Sequence, residues 1–364
     1  IYIRGGFDMS NKKGWNKELS EYIKQGEPNK VEKTKAWKTA IGLQEVDGLT
    51  PSKYLLETAK EHIEGNINID EVKDRINQYY EAIDSRKKIE ARDEEADKVS
   101  VRITEILSEK TFNFSPTELL NIHKRLFTGI FNGAGVYRDY NITKKEWVLN
   151  DETVIYSSFD IIKETLEYDF EQERTFSYKD LSLDEAIKHL CRFTANIWQV
   201  HPFCEGNTRT IAVFIIKYLR TFGFNIDDEV FAENSWYFRN SLVRANYKNF
   251  EKNVFEDTTF LEKFFCNLLS NTKYKLRNRD THIDCKISLD DSALKDNNCT
   301  LEEQAIINLI KENPFINQEE IAQSINKSLR TVKTYMITMQ EKGFIERVNG
   351  KKKGEWIVKA FLLN

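Results

Sequence analysis

The stretch His201-Pro-Phe-Cys-Glu-Gly-Asn-Thr-Arg-Thr210 joins two helical patterns through a short polar turn. Before it, Ile187, Leu190, Thr194 and Ile197 recur at helical spacing behind the capping box Ser182-Leu183-Asp184-Glu185, which predicts a helix from Leu183 to about Val200. After it, residues 210–222 are apolar on several faces (Ile211, Val213, Phe214, Ile215, Tyr218, Leu219), as a helix sunk in a core would be. Gly223 is placed to end that helix as its C′ glycine. The turn Glu205-Gly206-Asn207-Thr208 therefore leads directly into a buried helix.

Such a turn gathers free backbone N–H groups and the positive end of a helix dipole at one spot, which attracts anions. Arg209 adds a cation there, and Glu205 supplies a hard oxygen ligand suited to Mg²⁺ bridging phosphates. His201 stands at the lip with a side chain suited to proton abstraction near neutrality. Taken singly, each of these residues is more often structural than catalytic. In this order within nine residues they form the equipment of nucleotidyl or phosphoryl transfer.

Outward from this centre the chain reads as mainly α. Ser115-Pro116-Thr117-Glu118 and Thr300-Leu301-Glu302-Glu303 are further capping boxes, and Thr50-Pro51 offers an N-cap with proline at the first helical position. One exception is Glu146 to Tyr156, where two short β-type runs flank Asn150-Asp151-Glu152 and predict a hairpin. The domain pattern that results has an N-terminal extension (1–30), with residues before Met9 set aside as an expression remnant. A helical module (31–95), a central core (96–280), a polar linker (281–299) and a C-terminal unit (300–364) follow. In that last unit, helices over 301–312, 318–325 and 329–342 precede strands over 344–348 and 355–358, an order that resembles a winged helix-turn-helix.

Bulk properties narrow the class. At 364 residues two or three domains are expected, and a net charge of −4 with a pI near 5.9 excludes a global basic field for nucleic acid or membrane. Five cysteines without a C-x-x-C pair read as reduced thiols in a cytoplasmic protein, and no stretch is long and apolar enough to span a bilayer.

The motif resembles that of the Fic family, H-x-F-x-[DE]-G-N-G-R-x-x-R, on His201, Phe203, Glu205, Gly206, Asn207 and Arg209. Gly135-Val136-Tyr137-Arg138 is similar to the family's lead-in, and the hairpin near Trp147–Tyr156 to its flap. The resemblance implies a bacterial protein adenylyltransferase with a Fic-fold helical core, a β-hairpin flap and a C-terminal winged-helix domain. By the same implication His201 is the general base, Phe203 the loop anchor and Glu205 the Mg²⁺ ligand on the α- and β-phosphates of ATP. Gly206, Asn207 and Thr208 form the anion hole, Arg209 clamps phosphate, and the flap at Val148 and Leu149 aligns a target segment by strand addition. The product is an AMP-modified Tyr, Thr or Ser on a target protein or on the enzyme itself.

Two departures from the family pattern stand out. Thr208 replaces the usual glycine, and Ala212 stands where the family's last arginine grips the γ-phosphate and meets an inhibitory glutamate. Residues 31–95 resemble the antitoxin-like module that supplies that glutamate, but the best candidate here is Asp47, before Gly48, with Leu43 where Ser or Thr is expected. An acid facing no arginine gains little, so strict autoinhibition is expected to be absent or weak. Doc-like relatives, which transfer the γ-phosphate, carry lysine at the position of Thr208. Other readings are a Doc-like phosphotransferase and a DNA-binding regulator with a nucleotide-sensing or inactive core. In the C-terminal unit Arg330, Lys333, Lys342 and Lys351-Lys352-Lys353 are placed for phosphates of double-stranded DNA, though Glu319, Glu320, Glu341 and Glu346 dilute the field and protein docking stays open. Homo-oligomers are a further expectation.

Overall fold

The computed structural model describes residues 9–84, 91–224, 226, 228–270, 272–285, 299–350 and 354–359. The segment before Met9, most of the expected linker and the wing tip 351–353 lie outside the described residues. Within them the chain is mainly α, with one two-stranded antiparallel sheet near the C-terminus.

Helices α1 (Met9–Gln25), α2 (Pro28–Gly42), α3 (Lys53–Glu64) and α4 (Ile69–Asp84) close around a small core of Leu19, Trp37, Ile41, Leu55, Ile63, Val72 and Ile76. The cap of α3 is Ser52, not Thr50: its hydroxyl accepts from the Leu55 N–H at 3.1 Å. Ser52 is also tied through its N–H and hydroxyl to Asp97, which keeps the chain extended through Pro51 before the helix begins. Asp97 belongs to α5 (Ala91–Ser108), a helix shared by two cores. Val101 faces the small one, whereas Val99, Ile103 and Ile106 face the large one, so the boundary expected near residue 95 falls inside a continuous helix.

The large core is built from α6 (Pro116–Phe127), α7 (Ile162–Thr175), α8 (Leu183–Val200), α9 (Asn207–Thr221), α10 (Asp228–Ala245) and α11 (Thr259–Ser270). The α8 capping box forms as expected, and α9 is buried from Asn207 through Leu219. It starts three residues earlier than its apolar pattern indicates, because Gly206 turns the chain at φ 73° straight into the helix. The expected two-stranded hairpin is not formed. Glu146 and Glu152 make one antiparallel bridge around a 3₁₀ turn, Trp147–Leu149. Val148 and Leu149 are both fully buried, and adjacent side chains of a strand cannot enter the same core.

The N-terminal module is pressed onto this core. A Cβ on Gly42 would lie 2.3 Å from the Ala232 Cα, so only glycine permits this approach of α2 to α10. The Ser235 hydroxyl donates to the Gly42 carbonyl at 2.7 Å, and the chain continues as a 3₁₀ turn, Leu43–Asp47, against α9.

At the other end, α12 (Leu301–Glu312), α13 (Gln318–Ser324), α14 (Leu329–Glu341), β1 (Ile345–Val348) and β2 (Glu355–Val358) follow the expected order, with Ile345 paired to Val358. The Asn308 amide donates to the Leu269 carbonyl at 2.8 Å and the Leu183 N–H to the Cys299 carbonyl at 2.7 Å, which dock this unit on α11 and on the start of α8. Thr281, the expected linker start, is buried in the 3₁₀ turn Asn278–Thr281, and described structure continues to Cys285.

Candidate active site

His201 ends α8 in a left-handed conformation, φ 47° and ψ 59°, which a residue with a Cβ adopts only under constraint. Arg138 supplies the constraint. Its Nε donates to the His201 carbonyl at 2.8 Å, and its terminal nitrogens donate to the carbonyls of Tyr140, Ser157 and Val200. One buried guanidinium thus fixes the end of α8 to the strands of chain on either side of the flap. The imidazole is buried against Tyr156 (ring centroids 4.3 Å) and Trp198 (5.3 Å). Neither ring nitrogen has a hydrogen-bond partner. Burial first, and then the charges of Lys144, Arg239 and Arg138, hold its pKa well below the usual 6.5. It is a neutral imidazole with unused hydrogen-bonding capacity.

The loop after His201 is held from beneath. Phe203 is fully buried and stacks on His123 of α6 at 3.7 Å between ring centroids. His123 accepts the Gly135 N–H at Nδ1 (2.9 Å), which leaves Nε2–H to donate to the Glu205 carbonyl (3.1 Å). Burial pushes the His123 pKa down to about 4, so this neutral tautomer persists. Asn207 closes the loop on itself: its side chain accepts the Phe203 N–H and donates to the Phe203 carbonyl, at 2.9 and 2.7 Å. The Asn207 side chain is therefore a clasp, and what it offers an anion is its backbone N–H. A Cβ on Gly206 would strike the Phe127 ring at 2.4 Å. Trp198 donates to the Thr208 hydroxyl at 3.0 Å, and the hydroxyl keeps its own proton to donate. No side chain caps the start of α9, so its first N–H groups point to a ligand or to solvent.

Glu205 is mostly exposed, with the Lys144 ammonium 3.6 Å away. Among the described residues no group of three or more His, Cys, Asp or Glu is placed to hold a metal. A carboxylate beside an uncapped helix start suits Mg²⁺ with a phosphate ligand, since Mg²⁺ commonly takes one or two carboxylates and completes its shell with phosphate oxygens and water.

Arg209 corrects the reading of Asp47. The expectation that this acid faces no arginine fails: Arg209 Nε lies 2.7 Å from Asp47 Oδ2. Its terminal nitrogens donate to Glu95 Oε1 at 2.5 Å and to Gln44 Oε1 at 3.0 Å. The guanidinium is buried and also rests over the Phe127 ring, 4.9 Å from its centroid. Ala212 is buried in the core with no charge to offer, and the acid of the N-terminal module meets Arg209.

The target-docking role expected of Val148 and Leu149 would fall to their backbone groups. Both side chains are fully buried, and the Val148 carbonyl already accepts the Ile283 N–H at 2.9 Å. Asn150 donates to Asp284 at 2.9 Å, and the His282 ring lies 5.4 Å from Trp147. Residues 282–284 thus pack against the 3₁₀ turn of the flap.

His123, Arg138, Lys144, Arg239, Glu95 and Gln44 were not foreseen as parts of the site. His123 lies in the apolar stripe of α6, which reads as core, and Glu95 lies in the run Arg92-Asp93-Glu94-Glu95, which reads as a solvated face. Only Arg138, in the lead-in Gly135-Val136-Tyr137-Arg138, carried a local signal.

In the C-terminal unit, Arg330 and Lys333 are exposed on α14, with Ile337 exposed on the same face. Lys342 is otherwise employed: it donates to the buried Glu303 carboxylate at 2.7 Å and ties α14 to α12. No described helix is long and apolar enough to cross a membrane.

Residues 113–219 match the model of the Fic/DOC family, and residues 303–346 that of the winged helix-turn-helix DNA-binding domain. A crystal structure of a Fic family protein from Desulfovibrio desulfuricans G20 aligns with 98% of this chain and 98% of its own, at 12% identity and a TM-score of 0.42. Among curated proteins none matches the chain. The chain therefore carries a Fic/DOC-family domain over residues 113–219, within which His201 to Arg209 lies, followed by a winged helix-turn-helix domain.

Proposed function

We propose that the protein transfers AMP from ATP to a hydroxyl side chain (Tyr, Thr or Ser) of a target protein, and that it does so through the His201–Arg209 loop. One observation carries this reading. A buried, neutral imidazole with two unpartnered nitrogens ends one helix, and the uncapped start of the next lies a few residues on. The imidazole of His201 takes the proton of the attacking hydroxyl. That oxygen bonds to the α-phosphorus as the bond to the bridging oxygen breaks, and pyrophosphate leaves. Phe203, His123 and Asn207 hold the loop, while the N–H groups of Asn207, Thr208 and Arg209 face the phosphates. Glu205 would hold Mg²⁺, which neutralises phosphate charge when bound. Loss of the base is expected to slow transfer by about 10²–10⁴-fold.

Thr208 in place of lysine favours AMP transfer over γ-phosphate transfer. Parallel reactions with α- and γ-labelled ATP separate the two: label arriving in protein from the α position supports the proposal, and label arriving only from the γ position contradicts it. The winged-helix match supports a second role in binding double-stranded DNA, with Arg330 and Lys333 as phosphate contacts.

A further inference from the structure

The protein's phosphate site lacks the cation that position 212 would carry, since Ala212 is buried in α9 with no charge to offer. Arg209 is committed to Asp47, Glu95 and Gln44. Three other cations lie close enough to His201 to disfavour its protonated form: Lys144, Arg239 and Arg138. Arg138 is excluded as a ligand group, because its nitrogens already serve four carbonyls. The other two are differently placed.

Lys144 stands on the approach to the flap, its backbone N–H donating to Thr153 at 3.1 Å. Its ammonium is 3.6 Å from the Glu205 carboxylate, too far for a hydrogen bond. Arg239 comes from α10 and grips Glu146 with both terminal nitrogens, at 2.6 and 2.9 Å, on the same branch of the flap, two residues beyond Lys144. That fork uses two of the five guanidinium N–H groups, and three remain. Both cations stand at the flap, Lys144 facing Glu205 of the motif loop and Arg239 held on Glu146, and the same flap lays Tyr156 against the unpartnered imidazole of His201.

We propose that Lys144 and Arg239 form a second cationic arm of the phosphate site, supplied by the flap approach and α10 in place of the missing arginine, and that this arm reads the length of the polyphosphate. It rests on the reading of the site as a nucleotide site. Lys144, a compact ammonium, meets a phosphate as a point charge, and Arg239 keeps Glu146 while presenting its free N–H groups to phosphate oxygen. The guanidinium is carried into place by α10, and its partner Glu146 has 1% side-chain exposure.

The test is calorimetric binding of ATP, ADP and AMP, each with Mg²⁺, to the full chain and to Lys144→Gln, Arg239→Gln and Glu146→Gln, with thermal melts to confirm folding. Lys144→Gln and Arg239→Gln should each weaken ATP about tenfold or more, the scale of one charge-assisted hydrogen bond, and leave AMP unchanged. Glu146→Gln, which loosens the fork without removing its charge, should keep the preference for triphosphate. If the ATP-to-AMP preference survives both cation substitutions, or if Glu146→Gln erases it equally, the second arm is overturned while the nucleotide site stands. If the wild type binds none of the three, the nucleotide reading fails and the arm with it.

Discussion

Arg209 Nε lies 2.7 Å from Asp47 Oδ2, so an acid at the end of the N-terminal module is paired with the arginine of the motif loop. Glu95 and Gln44 complete the enclosure from α5 and from the same 3₁₀ turn. The loss of an arginine at position 212 has not left the acid without a partner. On the proposed reading a phosphate has to compete with two carboxylates for Arg209, so the N-terminal module is expected to oppose nucleotide binding.

It follows that Asp47→Ala and Glu95→Ala should each raise ATP affinity and AMP transfer, by about tenfold, or ~1.4 kcal/mol. The double substitution should fall short of the product of the two, because both acids hold one guanidinium. Titration of ATP against the four proteins checks both statements. Unchanged affinity in all variants would restore the expectation that inhibition is absent.

The depressed pKa of His201 predicts the acid side of the pH profile. A base whose pKa is lowered stays deprotonated below pH 6.5, so kcat/KM should hold as pH falls through that value and decline only at lower pH. Lys144→Gln removes one of the charges that lower it and should move the acid limb upward. A limb centred at or above pH 6.5 in the wild type would show that the free enzyme's base is not this imidazole.

Asp97 carries a stability signature. Burial pushes its carboxyl up to about 6, against 3.8 unperturbed. A raised carboxylate pKa means the folded protein holds the proton more tightly, so this contribution is present at low pH and is lost as pH rises through about 6. Between pH 5 and pH 7 it should fall by about 1 kcal/mol, and Asp97→Asn should flatten that portion of the curve. Urea denaturation at the two pH values measures the difference.

Gly206→Ala should disrupt the loop. Its φ of 73° disfavours a side chain, and the added Cβ would meet the Phe127 ring at 2.4 Å. A loss of about 1–3 kcal/mol in stability is expected. A variant as stable and active as the wild type would show that Phe127 yields and that the φ is not required.

The helices and their order were legible in the sequence because capping boxes at Ser182 and Thr300 and the apolar pattern after Arg209 are local signals. The C-terminal unit was legible for the same reason, down to strand Glu355–Val358. The flap was not. Turn composition and β-type residues at Trp147–Leu149 promised strands, whereas the burial of two adjacent side chains imposed a 3₁₀ turn. Asp47 was identified as a candidate, yet its partner was not, since a contact between residues so far apart depends on Gly42 letting α2 approach α10. Lys144 and Arg239 join the site only through the path of the chain around the flap.

AMP transfer with His201 as base leaves a mass signature on the protein. Intact-protein mass spectrometry after incubation with ATP and Mg²⁺, comparing wild type, Asp47→Ala and Asp47→Ala with His201→Ala, tests it most directly. An added AMP is expected on the Asp47→Ala protein, less on the wild type, and none once His201 is replaced. An adduct that persists without His201, or a phosphate adduct in place of AMP, would contradict it.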